Sequence, residues 1–148
     1  MNKSTSLLNF PDVNVWMALL LENHVHRKAA RLWWRAADAT IAFTRFTQIS
    51  VLRLLTTAAA MDGRPLNLLE AWRAYDRLFA DERVGLMPEP PEVEHRLRQN
   101  TRVQTSSPKI WADAWLLAFA ESAGGILVTF DRALAARSRC CLLLQDAP

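Results

Sequence analysis

Short apolar runs alternate with longer amphipathic ones along the chain, which predicts strands and helices in turn. Leu7 to Phe10 predicts a first strand, which Pro11 should stop because it brings no backbone N–H to a ladder. Val13 to Leu21 predicts a helix and His26 to Ala37 a second, with Ala29, Ala30, Leu32, Trp33 and Ala36 forming its apolar face. Thr40 to Phe43 is strand-like. Phe46 to Met61 predicts a third helix, where Ile49, Leu52 and Leu55 recur at helical spacing before the turn Asp62-Gly63-Arg64-Pro65. Leu66 to Ala80 predicts a fourth, and Val84 to Met87 a strand closed by Pro88, Pro90 and Pro91. Glu92 to Gln99 predicts a short helix, Asn100 to Pro108 a polar loop, and Lys109 to Ala123 a helix ended by Gly124-Gly125. Ile126 to Phe130 is the clearest buried strand, followed by a helical turn from Asp131 to Arg137 and a last strand from Cys141 to Gln145. Such alternation requires right-handed crossovers and yields an α/β fold with a mostly parallel central sheet covered on both faces. No repeat or linker divides the chain, so residues 1–148 read as one domain.

Composition narrows the class. With 148 residues and 51% hydrophobic content the chain can bury a core without disulfide or metal staples, and disorder, collagen-like repeats and coiled coils are excluded. The only cysteines, Cys140 and Cys141, are adjacent, and a reducing cytoplasm suits them best. The apolar stretch Val15 to Leu21 is too short to span a bilayer and no small-residue cleavage site follows it, so secretion and a membrane are not expected.

Charge is unevenly spread. Residues 1–60 carry seven basic and three acidic side chains, residues 61–100 six and eight, and residues 101–148 five and four, for a net charge of +3. Fifteen of the eighteen cations are Arg, a residue suited to bidentate phosphate contacts, although an Arg-rich coding bias gives the same count. The surplus permits a nucleic-acid partner.

In open α/β sheets the reactive crevice lies beyond the carboxyl ends of the strands, which draws attention to acids just after strands. Asp12 follows the first and Asp131 the fourth; each also suits a helix N-cap. Asp113 is the one charge between Ile110 and Ala120, on a helix apolar nearly all round, where a carboxylate needs an Arg partner or a cation. Three carboxylates meeting at one sheet edge make an all-oxygen site for Mg²⁺ or Mn²⁺, which can activate water for attack on a phosphodiester. His24, His26 and His95 lack zinc spacing.

These residues resemble a known family. The runs Leu7 to Trp16, Thr47 to Thr56, Trp111-Ala112-Asp113-Ala114 and Leu127-Val128-Thr129-Phe130-Asp131, in that order, resemble a PIN domain and, more narrowly, the VapC ribonuclease toxins of type II toxin–antitoxin pairs. The resemblance implies a three-layer α/β/α fold and a metal-dependent endoribonuclease that uses Mg²⁺ or Mn²⁺. By position, Asp12, Asp113 and Asp131 match the family's metal-binding acids, and Asn14 and Thr129 its supporting polar residues. Where the family usually has Glu, this chain has Gln48, which can orient water or substrate but brings no charge to hold a second cation. The family further implies an RNA substrate, a homodimer, and a cognate antitoxin that silences the toxin, often through an Arg inserted near the acids.

Arg45 and Arg132 are candidate phosphate contacts, and the loop with Arg102, Ser106, Ser107 and Lys109 is another. Glu22 and Glu121 are candidates for the missing charge. Trp33-Trp34 and the fourth helix, with Trp72 and Tyr75, offer surfaces to other chains, and one Trp of the pair is expected in the core because helix neighbours cannot both face it. The alternative from another class is a catalytically weak RNA- or antitoxin-binding module that kept the fold. A signalling receiver domain is disfavoured, because Pro88 and Gln145 follow the strands that should present its phosphoacceptor Asp and its Lys.

Overall fold

The computed structural model describes residues 8–146; Leu7, the first residue of the earliest expected strand, lies outside them. Five strands, β1 (Leu8–Pro11), β2 (Thr40–Phe43), β3 (Val84–Leu86), β4 (Ile126–Thr129) and β5 (Cys141–Leu143), form one sheet in the order β3-β2-β1-β4-β5. Every pairing is parallel. The helices are α1 (Val13–Leu20), α2 (Arg27–Ala36), α3 (Arg45–Leu55), α4 (Leu68–Leu78), α5 (Val93–Asn100), α6 (Ile110–Ser122) and α7 (Arg132–Ala135).

Strand side chains alternate between two cores. Ile41 and Phe43 of β2 point into one with Trp16, Val51, Leu55 and Tyr75, while Ala42 joins the other with Phe10, Phe119, Leu127 and Leu134. Helices α1, α3 and α4 therefore cover one face and α5, α6 and α7 the other, which makes the expected three layers. Trp16 is fully buried and stacks on Phe43 with 3.7 Å between ring centroids. On the far face, Phe10 meets Phe119 edge-on at 5.2 Å. α6 enters β4 through Gly124, at φ +68°, and Gly125, where a Cβ would stand 2.5 Å from the Phe10 ring.

Several elements differ from expectation. Pro11 does not stop β1 but is its last paired residue, opposite Val128. Successive N–H groups point to opposite sides, and the Asp12 N–H bonds Val128 O at 2.8 Å, so the donor missing at Pro11 faces β2, where pairing has already ended at Asn9. The third helix ends at Leu55, and Ala58–Met61 forms a separate 3₁₀ turn. The hydroxyls of Thr56 and Thr57 both bond the Arg53 carbonyl, and Thr57 is extended, so β-branched hydroxyl residues break the ladder there.

The inward face of α3 also differs. Thr47, Gln48, Val51 and Leu55 are buried, whereas Ile49 is 54% exposed. In α2 the buried residues are Ala29 and Ala30, with Leu32 and Ala36 exposed. Trp33 and Trp34 are both half-buried against the same core, so helix neighbours do both reach it. Tyr75 is buried and is no outer surface of α4; Trp72, with Leu68 and Leu69, is exposed.

Candidate active site

The chain runs outward from β1 to β2 and β3, then returns to build β4 and β5 on the other side of β1. Between β1 and β4 the chain departs in opposite directions, and a crevice opens at the carboxyl ends of the strands. Asp12 and Asp131 stand there. Each follows its strand immediately or one residue on, and each caps the next helix: Asp12 Oδ1 accepts from Val13 N–H at 2.7 Å, and Asp131 Oδ1 from Leu134 N–H at 3.0 Å. Capping and a place in the crevice thus coincide in the same side chains.

Thr129 ties the two together. It is fully buried at the end of β4, its hydroxyl donates to Asp12 Oδ2 at 3.1 Å, and the same oxygen accepts from the Asp131 N–H at 3.0 Å. Asp113 comes from the first turn of α6, and because α6 leads into the beginning of β4, its own beginning lies at the opposite, carboxyl edge of the sheet. Asn14 is exposed on the first turn of α1.

The three acids influence one another through space. Burial pushes the Asp12 carboxyl above the usual carboxylate range and Asp131 adds to this, against hydrogen bonds from Val13 and Thr129 that favour its charge. Burial likewise raises Asp113, helped by Asp12 and Asp131 and opposed by Arg137. Among the described residues no ion pair joins Asp12, Asp113 or Asp131 to a basic side chain, so the Arg partner weighed for Asp113 is not what accounts for it.

Gln48 is 5% exposed, with both ends of its amide bonded: Oε1 accepts from Arg45 Nη1 at 2.5 Å and Nε2 donates to the Tyr75 hydroxyl at 3.1 Å. The Tyr75 contact, 27 residues away in sequence, was not legible there. Glu121 pairs with Arg96 at 3.3 Å, on the far half of α6 from Asp113, and Glu22 is exposed after α1. Arg132 is exposed at the start of α7, and residues 102–109 are exposed throughout.

The donor chemistry of the crevice suits a hard divalent cation: oxygens only, a surplus of negative charge, and mutual repulsion that Arg137 only partly offsets at Asp113. The spacing is open, for among the described residues no three His, Cys, Asp or Glu side chains stand together as a finished ligand set.

A family model described as the PIN domain matches residues 10–139. Ribonuclease VapC41 of Mycobacterium tuberculosis, from two strains, is 43% identical over 128 residues, covering 82% of this chain and 88% of the relative. Among solved structures, Mycobacterium tuberculosis VapC20, a Sarcin-Ricin loop cleaving toxin, superposes with a TM-score of 0.62 at 15% identity, covering 86% of this chain and 93% of that one. PAE2754 from Pyrobaculum aerophilum gives 0.57 at 22% identity, covering 91% and 82%. At those identities the two structures speak for the fold alone. A domain model spanning nearly the whole chain and a relative this similar leave one placement: the chain belongs to the PIN-domain family, among its VapC ribonucleases.

Proposed function

We propose that this chain is an RNA-cleaving toxin, an endoribonuclease dependent on Mg²⁺ or Mn²⁺ that hydrolyses phosphodiester bonds in the cytoplasm. The observation that carries it is the link that Thr129 makes between Asp12 and Asp131 at the carboxyl ends of β1 and β4, the edge toward which the first turn of α6 carries Asp113. The VapC41 relative, by its name a ribonuclease, supports the substrate class. No helix among the described residues is long and apolar enough to cross a membrane.

Asp12, Asp113 and Asp131 would hold the cation, which when bound supplies positive charge that acidifies a water and offsets charge building on the phosphate. The protein does the rest. Thr129 fixes the Asp12 carboxylate and the Asp131 backbone at once, so both acids keep their aim. Asn14, exposed on the first turn of α1, would bond a phosphate oxygen. Arg45, held by Gln48, and Arg132 meet the RNA backbone. Two partners complete the proposal: an antitoxin that covers the acidic crevice, and a second copy of the chain. The exposed face Leu68, Leu69 and Trp72 on α4 supports the latter.

The test is cleavage of total RNA by the purified chain with Mg²⁺, with Mn²⁺ and with EDTA, beside Asp12→Ala. Discrete fragments that need metal and vanish in the variant are expected. A folded protein that binds RNA or an antitoxin peptide but cuts with neither metal would instead be a binding module that kept the fold.

A further inference from the structure

Beside the acidic crevice, along the same edge of the sheet, lies a second cleft of about 310 Å³. It is lined by Arg45 after β2, Pro88 and Glu89 after β3, and Trp115 and Phe119 on α6. All strands are parallel, so these residues occupy the same edge as Asp12 and Asp131, displaced along it toward β2 and β3. Neighbouring strands are roughly 5 Å apart, which puts the cleft within about 10–15 Å of the carboxylates, a distance the next nucleotides of a bound strand can bridge.

Its walls are those of a nucleobase site. Trp115 packs against Phe119 with ring centroids 5.3 Å apart and against Phe46 at 5.4 Å, giving an aromatic wall only half-buried at Trp115. Glu89 is exposed and bound at its rim, because Trp115 Nε1 donates to Glu89 Oε1 at 3.0 Å. The carboxylate retains lone pairs for further N–H donors. Across the cleft Arg45 is exposed yet tethered, its Nη1 donating to the buried Gln48 amide, which Tyr75 in turn fixes. An apolar slot with a π face, one acceptor and one held cation matches a stacked base, its hydrogen-bonding edge and its phosphate.

We infer that the Arg45–Glu89–Trp115 cleft is a base-specific subsite for a nucleotide flanking the scissile phosphate, and that the base it takes is guanine. Among RNA bases guanine presents two adjacent N–H donors on its Watson–Crick edge, the pair a carboxylate accepts side by side. Trp115 supplies stacking, Glu89 the selection, and Arg45 the phosphate contact. Gln48 is then a positioning residue that acts through Arg45. The inference rests on the ribonuclease reading for its ligand and extends it to sequence preference.

Binding in EDTA, read by fluorescence anisotropy with labelled RNA hexamers, separates the two. A uridine hexamer is compared with hexamers carrying one guanine, adenine or cytosine. The guanine hexamer should bind at least about fivefold tighter than the others. Glu89→Gln should erase that preference, leaving the guanine and uridine hexamers equal, Trp115→Ala should raise every Kd about tenfold, and Trp115→Phe, which keeps an aromatic ring there, should not. Equal affinity for guanine and uridine hexamers in the unmodified protein, or a preference that survives Glu89→Gln, overturns the subsite. RNA cleavage accompanied by either of those results overturns the subsite alone, whereas guanine-selective binding without cleavage overturns the nuclease and keeps it.

Discussion

A carboxylate held above its usual titration range costs the folded chain stability when it ionises, and Asp113 is the clearest case. Its folded-state pKa is raised, chiefly by burial and then by Asp12 and Asp131, so the stability linked to this group is full below the ordinary carboxylate range and is lost as pH rises through the raised value. Asp113→Asn removes that loss. In EDTA at neutral pH its Tm should therefore exceed the parent's by about 2 °C, with the gap closing in acid, as scanning calorimetry can follow. Mn²⁺ should raise the parent's Tm and leave the variant's unchanged; a variant stabilised by Mn²⁺ as much as the parent would remove Asp113 from the cation site. Thr129 gives a second case, because one hydroxyl serves both Asp12 and Asp131. Thr129→Val should lower kcat about 10- to 100-fold with little change in KM, read on a defined RNA. The sequence offers all three acids as candidates, two as acids following strands and one as the single charge in an apolar helix, and the Mn²⁺ titration tests the third. The engagement of Gln48 by Tyr75 was not legible there, since a contact 27 residues apart depends on how α4 packs on α3.

Elements were legible where periodicity and breakers agreed. The helix from Lys109 to Ala123, bounded by a polar loop and two glycines, appears as Ile110–Ser122, and all five strands fall where apolar runs predicted them. Two boundaries escaped because a competing local bond decided them. Thr56 and Thr57 divert carbonyls at the end of α3, and at Pro11 the absent N–H matters only on a side that has no partner left. The turn between α6 and β4 shows how closely one element is fitted to another. A methyl group at Gly125 would meet Phe10 Cε2 at 2.5 Å and the Leu8 carbonyl at 3.0 Å, and Phe10 is 2% exposed and already braced by Phe119. Gly125→Ala should accordingly cost about 1–3 kcal/mol in urea unfolding, through displacement of Phe10. An unchanged midpoint would mean that the ring has room to turn. Loss of nuclease activity should follow the shift of β1, since Asp12 is only two residues beyond Phe10.

The order in which the strands assemble is what brings acids distant in sequence to one edge of the sheet. Alternating elements in the sequence imply parallel crossovers, but not the side on which the chain returns after β3; only the return beside β1 places Asp131 next to Asp12. The same architecture leaves one face of α4 without a cover. Leu68 is 74% exposed, Leu69 60% and Trp72 44%, and spacings of three and four residues set them on one side of the helix, flanking the buried Ala71 and Tyr75. Apolar area of this kind is favourable to bury at roughly 25 cal/mol per Å², and a second copy of the chain offers the same stripe in return. Light scattering should therefore give twice the chain mass at micromolar concentration. Leu69→Glu should return it to the chain mass, because a desolvated carboxylate facing its own twin costs more than the contact gains. Leu69 is 60% exposed in the protomer, so the Tm extrapolated to low concentration should stay within about 1–2 °C of the parent's. A parent that scatters as a single chain at tens of micromolar would remove α4 as the dimer seam and leave that face for the antitoxin.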